Sequence, residues 1–439
     1  MKKNVLAVAV MALVALSPVV AQDVSTITEQ ETARLLKTLS ADEMQGRASF
    51  TPGIEKAANF IQEEFKKIGL KPLSSASPAK GNPYRQSFTV FRLTPISSSA
   101  RLGNEDIAPE NMFVSTAQET LNWQQSSDRQ VILIQESDNF RQAFMQANAS
   151  DQDALILVHP KHSQSFQTYK NYFGKGGIKQ GIGKGSSKVV VLTGQSSAQE
   201  YKVAVQNQVE KLPLFNVAGM IEGKRKDEFV VFSGHYDHIG ILKAMEGDSI
   251  ANGADDDASG TTAMIMLAKH FKKQRKPNRT LLFVAFTAEE IGGYGSRYFS
   301  EQLNPDQIMA MFNIEMIGKA SKFGPNSAYM TGFDKSDLGT LLQNRLQGTA
   351  YSIHSDPYPE QNLFYRSDNA TLARLGVPAH TISSVQIDQD KTYHSVKDEF
   401  GMLDMAHMTS MIKAIALAAQ GVVDGSDTPS RVDKAQVRQ

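Results

Sequence analysis

The chain has 439 residues, more than one ordinary domain of roughly 100 to 200 residues, so the sequence predicts a main domain with an insertion. Its 46 Lys and Arg residues balance its 46 Asp and Glu residues, which leaves no net field to attract nucleic acid or an anionic membrane, and we expect neither as a partner. The absence of cysteine excludes disulfides, lipid-modified cysteines and thiolate ligands, so any metal ligands must be His, Asp or Glu.

Residues 1–21 have the pattern of a secretory signal peptide. Lys2 and Lys3 form a positive start, and residues 5–16 are an apolar run too short to span a bilayer as a mature helix. Small residues precede Gln22 and form a candidate cleavage site. The pattern predicts a periplasmic or secreted protein with no stable membrane insertion after cleavage, and a buried N-terminal helix is the alternative.

Two amphipathic helices are predicted between residues 26 and 70. Leu35 and Leu36 begin the first, and apolar residues recur at helical spacing between residues 57 and 68 in the second. Gly69 is expected to end the second helix.

Residues 94–214 are rich in Ser, Gln and Asn and predict an inserted, smaller α/β domain. Apolar runs typical of strands occur at 131–133, 155–158 and 189–192, and a glycine-rich loop occupies 174–185. This segment carries no chemical signature, so it is expected to be a lid over an active site, an interaction surface or an embellishment.

After Asn216, short apolar runs alternate with helical patterns, which is typical of a mixed, mostly parallel sheet with helices on both faces. Strands are predicted at 229–233, 280–287, 309–316 and 379–383, and helices at 260–274, 295–302, 338–346, 369–375 and 403–419. Residues 22–93 and 215–423 are then the main domain, and the polar tail 424–439 is expected to fray.

Acids and histidines fall at the carboxyl ends of these predicted strands or in loops nearby, where open parallel sheets bind their ligands. They are His235, Asp237, Asp256, Glu289, Glu290, Glu315 and His394. Such a set of oxygen and imidazole donors suits zinc or a related divalent ion in a catalytic setting.

Each piece has another interpretation when it is taken alone. The segment 235–238 could be a surface turn, and the three adjacent acids 255–257 could be a solvated or calcium-binding loop. The pair Glu289 and Glu290 could simply begin a helix, and His394 could be an ordinary packed histidine. The combination of all five segments favours a two-metal hydrolase.

The chain resembles metallopeptidase family 28, the zinc aminopeptidase family that includes bacterial leucyl aminopeptidases and glutamate carboxypeptidase II. The resemblance rests on the motifs at 235–237, 253–260, 286–290, 313–316 and 393–395, with further similarity at 53–69, 366–368 and 376–378. It covers residues 32–71 and 216–419. It implies the zinc-exopeptidase, phosphorylase/hydrolase-like fold, and a lid or protease-associated-like domain for the insertion.

The resemblance also implies a ligand set for two zinc ions. Asp256 would bridge the ions, His235 and Glu315 would complete one site, and Glu290 and His394 would complete the other. Many family members have aspartate at the position of Glu315, and the extra methylene could change how this carboxylate coordinates the ion.

Three further roles follow from the resemblance. Asp237 would orient His235, and Glu289 would be the general base that takes a proton from the metal-bridging water. Tyr393 is a candidate hydrogen-bond donor to the oxyanion, and packing beside His394 is the alternative reason for its position. His238 and Asp255 receive no direct role and are expected to lie behind the ligands or face solvent.

These roles predict an aminopeptidase that acts on short peptides. The first alternative is a carboxypeptidase or dipeptidase, in which Arg366 could bind a terminal carboxylate. A glutaminyl cyclase with one zinc ion and a non-catalytic binding protein of the same fold are the others. The oligomeric state is left open.

Overall fold

A computed structural model describes residues 23–73, 78–79, 82–124 and 129–438, so the predicted signal peptide lies outside the described residues. In these ranges the helices are α1 (Glu29–Leu39), α2 (Pro52–Ile68), α3 (Phe140–Asn148), α4 (Ser163–Phe173), α5 (Gly260–Lys273), α6 (Tyr294–Gln302), α7 (Leu338–Leu346), α8 (Asn369–Arg374) and α9 (Met405–Asp424).

The strands of the same ranges are β1 (Lys71–Pro72), β2 (Pro78–Ala79), β3 (Asn82–Leu102), β4 (Glu105–Ile107), β5 (Met112–Ser115), β6 (Thr120–Gln124), β7 (Gln130–Ile134), β8 (Ala154–Val158), β9 (Gly177–Lys179), β10 (Lys188–Leu192), β11 (Tyr201–Ile221), β12 (Arg225–His235), β13 (Gly240–Met245), β14 (Asp248–Ala251), β15 (Arg279–Phe286), β16 (Ile308–Ile314), β17 (Ser327–Met330), β18 (Ser352–Ser355) and β19 (Ala379–Ser383).

The central sheet is mixed. Its main path runs β18-β17-β19-β16-β12-β15-β11-β3-β2, and β12 pairs in parallel with both β15 and β16. Every residue of β15 is buried, as expected of a strand that is covered on both faces. The α/β class with a mixed sheet is thereby confirmed.

Successive residues of one strand pack against helices on opposite sides of this sheet. Val230 and Phe232 lie in the large core that includes α1, α2, α5 and α9, whereas Val231 lies in the smaller core with α6 and α8. Full burial of each such side chain contributes roughly 1.5 to 3 kcal/mol. The two helix layers therefore hold the central strands, and the strand ends, in fixed positions.

The first two helices begin and end where local chemistry favours it. Thr28 caps α1 by accepting a hydrogen bond from the backbone of Glu31 at 3.4 Å. Pro52 occupies the first turn of α2, and Gly69 ends this helix with φ of 77°, a conformation that favours glycine.

The inserted segment is carried on two long strands. β3 and β11 pair antiparallel over most of their length. The chain that connects them forms a second sheet of order β5-β10-β8-β7, together with α3 and α4. The predicted boundaries at 94 and 214 fall inside β3 and β11, because both strands of the central sheet run on through these residues. The Tyr294 hydroxyl donates to the Ile178 carbonyl at 2.6 Å, and Gln180 donates to Glu301 at 2.8 Å. These bonds join the insertion to the main domain.

The C-terminal tail is packed against the main domain, which differs from the expected frayed end. α9 continues five residues beyond the predicted end, and Val432 and Val437 are buried in the smaller core. Arg279 donates to the Asp427 carbonyl at 2.6 Å, which ties the tail to β15. Buried valines and hydrogen bonds such as those from Arg279 and Arg431 to backbone carbonyls order this mostly polar segment.

Candidate metal centre

Three neighbouring strands bring the candidate residues to one edge of the sheet. His235 is the last residue of β12, Glu289 follows β15, and Glu315 follows β16. Because these strands are parallel, their carboxyl ends meet. Asp256, in the loop before α5, and His394, in the loop after β19, come to the same edge.

The three adjacent acids before α5 are buried and have different partners. The Asp257 carboxylate accepts from the backbone amides of His235 at 3.0 Å and Met316 at 3.2 Å, and so joins the ends of β12 and β16. Asp255 accepts from the Gly318 amide at 2.8 Å. Asp256 alone directs its carboxylate to the imidazoles, which argues against a solvated loop.

A first cluster consists of His235, Asp256 and Glu315, whose ligand atoms lie within 4.8 Å of one another. His235 Nε2 is 3.2 Å from Asp256 Oδ1. Neither His235 Nε2 nor Glu315 Oε2 has a hydrogen-bond partner among the residues that the structure describes, although both atoms are buried. Burial raises the pKa of Glu315 to about 7. A divalent cation would supply the missing partner, so the residues fit a metal.

A second cluster shares Asp256 with the first. Asp256, Glu290 and His238 offer ligand atoms within 4.8 Å of one another, and His238 Nδ1 is 2.7 Å from Glu290 Oε1. His394 Nε2 is 3.0 Å from Glu290 Oε2 and 3.3 Å from Asp256 Oδ2. Burial opposes ionisation of Asp256, but its contacts with His235 and His394 lower its pKa below the usual value. The carboxylate that joins the clusters is therefore held ionised.

His238 is the residue whose position the sequence left undetermined. It is buried in the second cluster, rather than facing solvent, and its Nε2 has no hydrogen-bond partner within the described part of the chain. A second histidine three residues after His235 was the available signal. A sequence cannot show that two such close neighbours reach different clusters.

The Asp237 side chain binds the backbone of the pair Glu289 and Glu290. Its carboxylate accepts from the backbone amides of Glu289 at 3.1 Å and Glu290 at 3.3 Å. The ring Nδ1 of His235 lies 3.1 Å from the backbone carbonyl of Asp237 and 3.8 Å from its carboxylate. The side chain of Asp237 therefore positions Glu289, while its main chain orients His235.

Glu289 and Tyr393 lie on different sides of the clusters. Glu289 lines an open cleft together with Glu290, and burial raises the pKa of Glu289 well above its usual range. The ring of Tyr393 stacks on His394 with centroids 3.9 Å apart and lines a narrow pocket beside Glu315. Ala288, Met316 and His394 adopt φ between 53° and 59°, a strained region for residues other than glycine that concentrates at functional sites.

Arg47 supports the centre from behind, and no sequence motif identified it. Its guanidinium is fully buried and donates to four backbone carbonyls at 2.6 to 2.9 Å. These carbonyls belong to Leu39, Tyr236, Asn252 and Gly253. Three of the four flank His235 or the loop of Asp256, so one cation fixes both ligand-bearing segments.

Residues 216–419 match the family model described as Peptidase family M28. Leucine aminopeptidase 1 of Penicillium rubens is 26% identical over 242 residues, which are 52% of this chain and 60% of the relative. A probable zinc metalloprotease of Leptosphaeria maculans is 30% identical over 178 residues, which are 38% of this chain and 40% of the relative. The chain thus spans 40% to 60% of the length of these curated relatives.

A solved structure shares the fold over nearly the whole chain. The aminopeptidase from Aneurinibacillus sp. strain AM-1 superposes with a TM-score of 0.52 at 18% identity, covering 94% of this chain and 97% of its own. At this identity the likeness shows the fold. Together with the family match, it places the two clusters in a mixed-sheet scaffold of known type.

Proposed function

Since residues 216–419 match the model of peptidase family M28, we propose that this protein is an exported zinc aminopeptidase that hydrolyses N-terminal residues from short peptides. One observation carries the proposal: two clusters of oxygen and imidazole donors share Asp256 at the edge of a cleft that contains Glu289. The name of the Penicillium relative, leucine aminopeptidase 1, supports the same class of reaction.

Two zinc ions are proposed. His235, Asp256 and Glu315 would hold one, and Asp256, Glu290 and His394 would hold the other, with His238 packed against Glu290. Zinc bound there would polarise the scissile carbonyl and lower the pKa of water.

Glu289 is proposed as the base. Its carboxylate would take a proton from the attacking water and deliver it to the leaving nitrogen, while the C–N bond breaks and the new carboxylate forms. Asp237 holds the backbone of Glu289 in place through the 3.1 Å hydrogen bond.

The spaces on the two sides of the clusters differ in a way that suits removal of a single residue. A narrow pocket next to Glu315 is lined by apolar groups that include Met316, Leu363, Val385 and Ile387. The cleft on the Glu289 side is open and has a volume of about 480 Å³. An aminopeptidase needs room for one side chain before the scissile bond and open space after it, so we assign the narrow pocket to the N-terminal residue.

Hydrolysis of leucyl anilide and leucyl peptides by the purified, zinc-loaded protein tests the proposal. Glu289→Gln is expected to lower kcat by about 100- to 10,000-fold while zinc content stays the same. Glu43→Gln, at an exposed position, is the matched control. Equal rates for Glu289→Gln and the parent, or equally fast cleavage of N-acetylated peptides, would refute an aminopeptidase with this base.

Export is part of the proposal and rests on the signal-like pattern of residues 1–21. Within the described ranges, no helix is long and apolar enough to cross a membrane. Expression of the full chain followed by fractionation and N-terminal sequencing should find a mature protein that begins near Gln22. A cytosolic protein that retains residues 1–21 would contradict export.

A further inference from the structure

We infer that the cleft on the Glu289 side contains a carboxylate-binding subsite, formed by Arg297, Arg366 and Arg374, that favours substrates with a negative charge just after the scissile bond. The inference rests on the proposed function, because Glu289 must mark the reacting bond for the arginines to act on the leaving part of the peptide.

The cleft places the cations and the catalytic acids along one surface. Glu289, Glu290 and the three arginines all line it. The arginines come from separate positions in the fold: Arg297 lies on α6, Arg366 precedes α8, and Arg374 ends α8. Helices α6 and α8 both belong to the smaller core, so the cations are held on packed elements.

The three guanidinium groups of this cleft contact neutral groups. Arg366 donates to the neutral Gln361 side chain at 3.3 Å, Arg374 donates to the Arg438 carbonyl at 3.0 Å, and Arg297 lies 5.8 Å from the ring centroid of Tyr294. None of the three is within ion-pair distance of a carboxylate belonging to the described residues. Burial, and then the neighbouring charge of Arg297, lower the pKa of Arg374. An anion in the cleft would relieve this repulsion.

A carboxylate is the anion that a peptide offers. Guanidinium groups bind carboxylates through two parallel hydrogen bonds, with more geometric specificity than an ammonium group provides. Arg366 lines both the narrow apolar pocket and the open cleft, so it lies near the division between the N-terminal residue and the leaving part. The charge therefore belongs to the leaving part: either the α-carboxylate of a dipeptide, or an Asp or Glu side chain directly after the scissile bond.

The inserted domain contributes to the same cleft. Tyr172, near the end of α4, is among its lining residues, and this side chain is 76% exposed. A long peptide leaving the cleft would have to pass this aromatic ring. This arrangement gives the insertion a part in favouring short substrates.

Two matched substrate pairs test the inference and distinguish the sources of the carboxylate. The first pair is Leu-Gly and Leu-Gly amide, and the second is Leu-Asp amide and Leu-Asn amide. A charge-assisted hydrogen bond predicts that kcat/KM is about tenfold higher for a charged member than for its neutral partner. A preference in the first pair alone assigns the subsite to the α-carboxylate, and one in the second alone assigns it to the side chain. Equal values in both pairs would overturn the inference.

Substitution of the cleft arginines tests whether they cause the preference for charged substrates. Arg297→Gln and Arg366→Gln should each bring the charged-to-neutral ratio of kcat/KM towards one, whereas Arg275→Gln, at an exposed position away from the cleft, should keep the parent ratio. A preference that survives both cleft variants would contradict the assignment to these arginines.

If the proposed function is wrong, leucyl anilide and all four peptides will resist hydrolysis, which distinguishes this outcome from failure of the inference alone. In that case calorimetry on the zinc-loaded protein still decides the inference. Tighter binding of Leu-Gly than of Leu-Gly amide, or of Leu-Asp amide than of Leu-Asn amide, would support the subsite, and equal binding within both pairs would refute it.

Discussion

Replacing Arg47 with methionine should destabilise the protein strongly, although Arg47 lines neither the narrow pocket nor the open cleft. The change keeps an apolar stem but removes four hydrogen bonds of 2.6 to 2.9 Å to buried backbone carbonyls. A buried acceptor that loses its partner costs about 1 to 3 kcal/mol. The variant no longer has to bury a charge, and this gain offsets part of the loss. We therefore take about 1 kcal/mol for each of the four carbonyls and expect the unfolding free energy to fall by about 4 kcal/mol.

This loss is a large part of the 5 to 15 kcal/mol of unfolding free energy that is typical of a folded domain. Urea unfolding of the zinc-loaded protein measures it, with Arg275→Met as the control at an exposed site, where we expect a change within about 0.5 kcal/mol. The folded fraction of Arg47→Met should also bind zinc more weakly, because the freed carbonyls flank His235 and the Asp256 loop. A loss of less than about 1 kcal/mol with unchanged zinc affinity would refute the reasoning.

Three other perturbations have expected outcomes. Removal of zinc by a chelator should lower Tm, because the buried acids and imidazoles then lose their shared partner, and added zinc should restore Tm. A Tm that is the same with and without zinc would argue against a metal centre. His238→Ala should lower the amount of zinc bound per chain, because Glu290 loses its contact with His238, whereas His159→Ala in the insertion should leave it unchanged. The same zinc content in both variants would exclude a role for His238. Hydrogen bonds from Arg34 lower the pKa of Glu31 to about 2 in the folded chain, so this stabilisation is complete above the unfolded pKa of about 4.5 and is lost as pH falls towards 2. The difference in unfolding free energy between the parent and Glu31→Gln should therefore shrink from pH 6 to pH 3, and a constant difference would contradict the shift.

The fold class could be predicted from the sequence because its signals are local. Apolar runs such as β15 are long enough to identify a strand that is buried on both faces, and glycine at position 69 marks a helix end without any knowledge of its surroundings. The convergence of His235 and Glu315 was also predictable, since parallel strands end at one edge of a sheet.

Other features depended on contacts between distant parts of the chain. The polar tail shows no sign of order until Val432 and Val437 meet the smaller core. The 21-residue strands β3 and β11 run from the main domain into the insertion, so their own composition shows no domain boundary. The arginine cleft likewise combines residues of two helices and an insertion, so no local sequence pattern predicts it.

The sequence by itself determined which residue types are available to hold a cation and the strand ends on which most of them lie. Only the tertiary structure decided that His238 faces Glu290, that the Asp237 carboxylate holds the backbone of Glu289, and that Arg47 is buried. The physical reason is that a polar group is stable in the interior only where its partners are, and the partners of Arg47 come from backbone segments up to 206 residues away.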